Sequence, residues 1–391
     1  MNPTFTDTDS TAAAGVAGYA DPRFEPVRAR FTDFLNTGDE IGASIAVDID
    51  GEMVVDLWGG HLDRTHQDPW REDTIVNVWS STKTVSSLAI LLLHERGLLD
   101  VFAPVARYWP EFAENGKELI EVRHVLAHTS GIPGWDQPVS IEDLYDTGEA
   151  ARRLAAQAPW WEPGTASGYH VLSHGALIGE LVRRVTGISL TEFVRTELSE
   201  PLDADFQIGV RQQDDPRVAE IIPAPPYDFE LGDPDMSSIM MRALTGPATD
   251  AEMANTQAWR RAELGAANGH GNARALTRIM SPIARGGTVA GRSYLSGETI
   301  DLIFREQANG MDLVLPLPLR FGIGFALPHP ESTPYLPTDG VCFWGGKGGS
   351  LVVMDVKRRT TISYVMNALD NDIIGSPRAA AYLSAIYEAL A

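Results

Sequence analysis

The pattern of apolar and polar positions changes character along the chain. A helix is predicted over Pro26 to Leu35. Two strand-like runs follow, Gly42 to Val47 and Met53 to Trp58, joined at Asp50-Gly51. That dipeptide tolerates positive φ and suits a two-residue hairpin. From Ser80 to Arg96 the period is helical: Val85, Leu88, Ala89, Leu92 and Leu93 make one apolar face, and Gly97 stops it. Residues 105 to 274 read as mostly helical between Pro and Gly loops, with a helix over Leu172 to Thr186 ended by Gly187. Gln212 to Pro247 is dense in Asp, Pro and Met, lacks a sustained period, and reads as a variable loop or lid near 212–247. Strand character returns at Leu351 to Met354 and Thr360 to Met366, turning at Val356 to Arg359, before a last helix at Pro377 to Leu390.

Strands at both ends with helices between them predict an α/β (α+β) fold. The expected division is a mobile tail over 1–20, a discontinuous α/β domain over 21–105 and 275–391, and a mostly helical domain over 106–274. Small, polar, unpatterned residues are the reason for the tail. The longest purely apolar run, Leu88 to Leu93, is far below a membrane span.

Composition narrows the functions. A formal charge of −22 over 391 residues repels polyanions, so nucleic acid is not an expected partner. The single cysteine, Cys342, allows neither an intramolecular disulfide nor a cysteine metal cluster. With no basic start leading into an apolar stretch at the N-terminus, a cytoplasmic location is expected. His124/His128 and His170/His174 are spaced like helix metal ligands, but no third ligand has a recognisable spacing, and neither a metal nor another cofactor is expected. The Gly-x-Ser-x-Gly elbow of α/β-hydrolases is missing from the sequence.

Ser80-Ser81-Thr82-Lys83 opens the helix that leads into the apolar face. Residues three apart share a helix face, so Ser80 and Lys83 can touch. A serine hydroxyl needs a base to become a nucleophile. Burial and the positive end of a helix dipole both favour the neutral lysine that can act as one. The helix start also offers backbone N–H groups to an oxyanion. The chain has four lysines, Lys83, Lys117, Lys347 and Lys357, and only Lys83 has a serine three positions before it. A Ser-x-x-Lys pair can equally be a helix N-cap. Two further stretches add to it. Glu162-Pro163-Gly164-Thr165-Ala166-Ser167-Gly168-Tyr169 delivers a tyrosine from a small-residue loop, and a phenol there can relay a proton. Phe343-Trp344-Gly345-Gly346-Lys347-Gly348-Gly349-Ser350 offers glycines where a substrate could approach backbone.

In this order the motifs resemble the serine β-lactamase and penicillin-binding protein superfamily, most nearly its class C-like branch, the family VIII carboxylesterases. Val125-Leu126-Ala127-His128-Thr129-Ser130-Gly131 and Asn268-Gly269-His270-Gly271-Asn272-Ala273 add to a resemblance covering about residues 25 to 390. It implies a serine β-lactamase-like fold, an antiparallel sheet flanked by helices with a mostly helical insertion. It implies Ser80 as acylated nucleophile, Lys83 as base, Tyr169 as its partner and proton donor, and the backbone N–H groups of Ser80 and Lys347 as oxyanion hole. Trp344, Gly345, Gly346, Trp135, Trp160, Trp161 and His270 are the candidate substrate-binding residues.

Two departures bear on the substrate. The Tyr-x-Asn of class C enzymes is Tyr169-His170-Val171 here, without the amide. The third motif starts with Trp344 instead of a lysine that grips a carboxylate, a contact worth about 1.5–3 kcal/mol. Both point to a carboxylesterase acting on short-chain or moderately bulky small-molecule esters, and away from efficient β-lactam or peptide hydrolysis. The alternatives are an acyltransferase, a weak β-lactamase or D-aminopeptidase, or a scaffold that has lost catalysis.

Overall fold

The computed structural model describes residues 15–225, 235–372 and 374–391. Its frame is a nine-stranded sheet. From one edge to the other the strands are Ala17–Ala20, Glu52–Gly60, Gly42–Ile49, Thr360–Met366, Leu351–Asp355, Val341–Gly345, Ala326–Leu327, Pro318–Phe321 and Ala308–Met311, each antiparallel to its neighbour. The two ends of the chain thus meet at the centre, where Ile45 faces Tyr364. The hairpin at Asp50-Gly51 forms as the dipeptide requires, with φ of 52° and 96°. At the end of the expected tail, Ala17–Ala20 pairs with Trp58 to Val55 and forms the sheet edge, a long-range pairing without local signal. Residues 1–14 of that expected tail lie outside the described residues.

The central strands are buried on both faces and read as continuous apolar runs, as in Val341–Gly345 and Leu351–Asp355. The helix Ala273–Ala284 packs on the strands Gly42–Ile49, Leu351–Asp355 and Thr360–Met366. The helices Glu25–Thr37 and Pro377–Leu390 pack together, Phe31 meeting Tyr382 with ring centroids 6.1 Å apart.

Between the two sheet-forming regions the chain is mainly helical. Ser173–Thr186 ends where Gly187 takes a φ of 80°. It packs on Thr82–Glu95, whose residues from Thr82 to Leu93 are all buried. That helix begins two residues later than its apolar period suggests, because Trp79–Ser81 forms a 3-10 turn first. Of the excursion expected over 212–247, Gln212–Arg217 is a 3-10 turn, Ile239–Thr245 is a helix, and residues 226–234 lie outside the described ones. Among the described residues no helix is long and apolar enough to cross a membrane.

Candidate active site

Ser80 sits where the short strand Val76–Asn77 runs into the buried helix Thr82–Glu95. The turn between them is strained: Trp79 has a φ of 48°, in the left-handed region that side chains other than glycine rarely enter. Neighbours hold it there. The Ser81 N–H donates to Val78 O (3.2 Å), and the Thr82 hydroxyl donates to Trp79 O. Ser350 Oγ donates to Val78 O (2.9 Å) and lies 2.9 Å from Ser81 Oγ. Since Ser350 has one proton, Ser81 must donate in that pair. This turn leaves Ser80 half-exposed among fully buried neighbours.

Lys83, one helical turn on, is 2% exposed. Its Nζ lies 3.1 Å from Ser80 Oγ, 2.8 Å from Val171 O and 2.9 Å from Ala266 O. No carboxylate pairs with it among the described residues. Burial alone therefore pushes its pKa well below the usual lysine value. With the amine neutral, the two carbonyls take its two N–H groups and the lone pair is left for the Ser80 hydroxyl.

Tyr169 reaches the same point from a loop on the other side. Its phenol lies beside Ser80, close enough to act on it electrostatically, and accepts the Trp344 indole N–H at 3.3 Å. Its ring lies 4.7 Å from Lys83 Nζ and 4.9 Å from the His128 ring. Burial pushes the phenol above its ordinary value, so it keeps its proton at neutral pH. The structure thus brings Ser80, Lys83 and Tyr169 together.

The loop carrying Tyr169 is fixed by residues to which sequence reasoning gave no role in holding it. Gly168 N–H donates to His128 O (2.9 Å), Gly164 N–H to Thr129 O (2.8 Å) and Tyr169 N–H to Asp312 Oδ1 (2.9 Å). A side chain at Gly168 would overlap the Trp161 ring, 2.4 Å from the Cβ position. His170 Nδ1 faces the Gly168 carbonyl (2.8 Å) and must carry a proton, so Nε2 accepts the Ser130 hydroxyl (2.6 Å). His128 Nδ1 accepts the His170 N–H at 3.1 Å. Burial holds His128, His170 and His174 below the usual imidazole range, His170 at about 3, so all three are neutral around Lys83.

The third motif closes the other wall. Gly346 lies so close to the nucleophile turn that a Cβ there would sit 2.4 Å from both Val78 O and Ser350 Oγ. Gly345 is buried beside it, and a Cβ there would meet Ser350 O at 2.9 Å. Among the described residues the Lys347 N–H, outside any helix or strand, has no acceptor. The Lys347 side chain is exposed, with its ammonium 5.5 Å from the centre of the Trp79 ring.

The structure places the residues expected to contact substrate as follows. Trp344 is 4% exposed, packs its ring at a tilt against Tyr169 (5.1 Å) and Phe321 (5.5 Å), and makes its polar contact with the phenol. Trp135 is buried and donates its indole N–H to Ala150 O (2.8 Å), a packing role. His270 is wholly buried in the strand Gly269–Gly271, with Nδ1 on Asn268 O (2.8 Å). Trp160 is half-buried, bonded to Asp136 and covered by the Arg242 guanidinium at 3.9 Å. Trp161 is half-buried, braces the Tyr169 loop and donates to Ala166 O. Two open cavities of about 660 and 370 Å³ share walls at Glu72, Asp203, Asp205, Arg274 and Arg278, and Ser80 lines neither. No group of His, Cys, Asp or Glu able to hold a metal occurs among the described residues.

Comparison with known proteins bears on the family and the fold. A family profile described as Beta-lactamase matches residues 27–385. The esterase/beta-lactamase LipL of Mycobacterium tuberculosis is 37% identical over 328 residues, covering 80% of this chain and 75% of LipL. The crystal structure of a family VIII carboxylesterase is 38% identical with a TM-score of 0.90, over 96% of this chain and 99% of that one. A penicillin-binding protein homolog from Caulobacter crescentus is 37% identical with a TM-score of 0.87, over the same shares.

Proposed function

The chain belongs to the beta-lactamase family, and on that premise we propose that it is a carboxylesterase that hydrolyses short-chain or moderately bulky esters through an acyl-enzyme at Ser80. The observation that carries this reading is the environment of Lys83: an amine stripped of water, without a counter-ion among the described residues, with its third valence directed at Ser80 Oγ.

In the first half-reaction Ser80 Oγ attacks the ester carbonyl and its proton passes to the Lys83 lone pair. Negative charge develops on the carbonyl oxygen, where the N–H groups of Ser80 and Lys347 are available to it. The C–O bond to the alcohol breaks, and the leaving alkoxide takes the Tyr169 proton. Lys83 then returns its extra proton to the phenolate. Water enters by the reverse path, and Ser80 regains its proton as the acid departs. A phenol held protonated by burial suits the donor role. Trp344 puts a neutral indole, its N–H already given to the Tyr169 phenol, at the motif position where a cation would hold a substrate carboxylate, which favours uncharged esters over β-lactams and peptides.

The test is turnover of p-nitrophenyl acetate and butyrate. Ser80→Ala is expected to lower kcat by a thousandfold or more, at about wild-type stability. A fluorophosphonate should label the wild type at Ser80, read by peptide mass. Unchanged turnover in Ser80→Ala, or nitrocefin hydrolysis rivalling that of the esters, would overturn the reading.

A further inference from the structure

Asp312 lies at the start of the turn joining the two strands at the far edge of the sheet, Ala308–Met311 and Pro318–Phe321. It is the one charged residue in the apolar stretch from Met311 to Leu319. The usual order of burial is inverted there: Asp312 is 5% exposed, while Met311 and Leu313 beside it are 62% and 36% exposed. A chain that hides its carboxylate and exposes its apolar neighbours incurs a desolvation cost twice over.

The carboxylate's contacts account for that arrangement. Asp312 Oδ1 accepts three backbone N–H groups, from Val314, Leu315 and Tyr169, each at 2.9 Å. The first two close the turn on itself. The third comes from 143 positions away. Leu313 N–H also donates to Ser167 O at 2.9 Å, so the turn grips the tyrosine loop at two points. Asp312 Oδ2 is buried and has no hydrogen-bond partner among the described residues. Ring contacts with His128 and Trp344 hold the Tyr169 side chain, and Asp312 holds its backbone.

We infer that Asp312 is a positioning residue, which sets the Tyr169 phenol against the Ser80–Lys83 pair by fixing the Tyr169 main chain to the tip of the edge hairpin. This rests on the esterase reading above. Hydrogen bonds to a carboxylate are roughly twice as strong as neutral ones, and a displacement of about 1 Å in a reacting group costs about a hundredfold in rate. The acceptor's position governs the effect, so an amide at 312 keeps most of it, whereas a carboxylate moved outward by one methylene loses it.

The experiment compares Asp312→Ala, Asp312→Asn and Asp312→Glu on p-nitrophenyl butyrate, with rates normalised to sites titrated by a fluorophosphonate. Asp312→Ala is expected to lose about a hundredfold in kcat with KM within about twofold of wild type. Asp312→Asn should recover at least tenfold of that loss and exceed Asp312→Glu. Wild-type kcat in titrated Asp312→Ala, or Asp312→Glu equalling or exceeding Asp312→Asn, overturns the inference. If Asp312→Ala does not fold, the Asn and Glu ranking decides alone. Ser80→Ala runs in parallel: wild-type turnover that does not depend on Ser80 rejects the esterase reading itself, whereas Ser80-dependent turnover indifferent to Asp312 rejects only this inference.

Discussion

Two ionisable groups are buried in this molecule to almost the same degree and in opposite company. Lys83 is 2% exposed and is surrounded by carbonyls, a hydroxyl and neutral imidazoles. Glu40 is 1% exposed, but it accepts Arg378 Nη1 at 2.8 Å and the hydroxyls of Tyr364 and Tyr382. Arg378 also donates to Asp39 O and Ala368 O, so this cluster joins the start of the strand Gly42–Ile49 to the last helix and the loop before it. A counter-ion makes the difference. Glu40 has one and ties the two sheet-forming regions together; Lys83 has none among the described residues, as the proposed role of base requires.

The largest effect that could break this contrast is on catalysis. Lys83→Met keeps the chain length and removes the amine. It is expected to lower kcat by about 10²–10⁴-fold and to change the melting temperature little, because relief of the amine's desolvation is offset by the donors that Val171 O and Ala266 O lose. A large loss of stability in that variant would mean that Lys83 is structural.

On the other side of the comparison, Arg378→Met strands a buried carboxylate and is expected to destabilise by about 3–5 kcal/mol in urea unfolding. The kcat of the molecules that remain folded should not change. An activity loss per folded molecule, with unfolding unaffected, would reverse the two roles.

The smallest effect is on pH, and the two groups should move in opposite directions. Burial raises Glu40 from 4.5 to about 7 despite Arg378. A carboxyl that binds its proton more tightly when folded adds stability below about pH 4.5, and that contribution is lost as pH rises through about 7. The difference in melting temperature between wild type and Glu40→Gln should shift in that sense across the window. Activity should run the other way, falling as acid protonates Lys83, whose pKa lies below its usual value. A melting difference independent of pH, or activity that rises on acidification, would contradict the assignment.

Legibility in the sequence followed the range of the interaction. Asp50-Gly51, Gly187 and the period from Val85 to Leu93 are local signals, and the hairpin, helix stop and buried face appear where they predict. Ser80 and Lys83 share a helical turn, so their meeting was also local. Tyr169 was reachable only through the ordered set of motifs, since nothing in its loop says which helix it faces. Ala17–Ala20, Ser350 and Asp312 were not legible in the roles they take, because their partners lie tens to hundreds of positions away. For Asp312 a signal existed, a lone charge in an apolar run, but not its meaning. The packing of Trp135 and His270 was not legible for a related reason: an aromatic or a histidine in a family-like stretch does not reveal that a ring N–H has a backbone carbonyl nearby.

The spacing at Gly346 also bears on how such a protein can diversify. Even a methyl at that position would press within 2.4 Å of the Val78 carbonyl and force the strand and the helix start apart. A combinatorial library selected for new ester preferences should therefore return glycine at 346 under every selection. Variation would accumulate instead at half-buried places such as Trp160, where a substitution alters shape without disturbing the spacing of the reacting atoms.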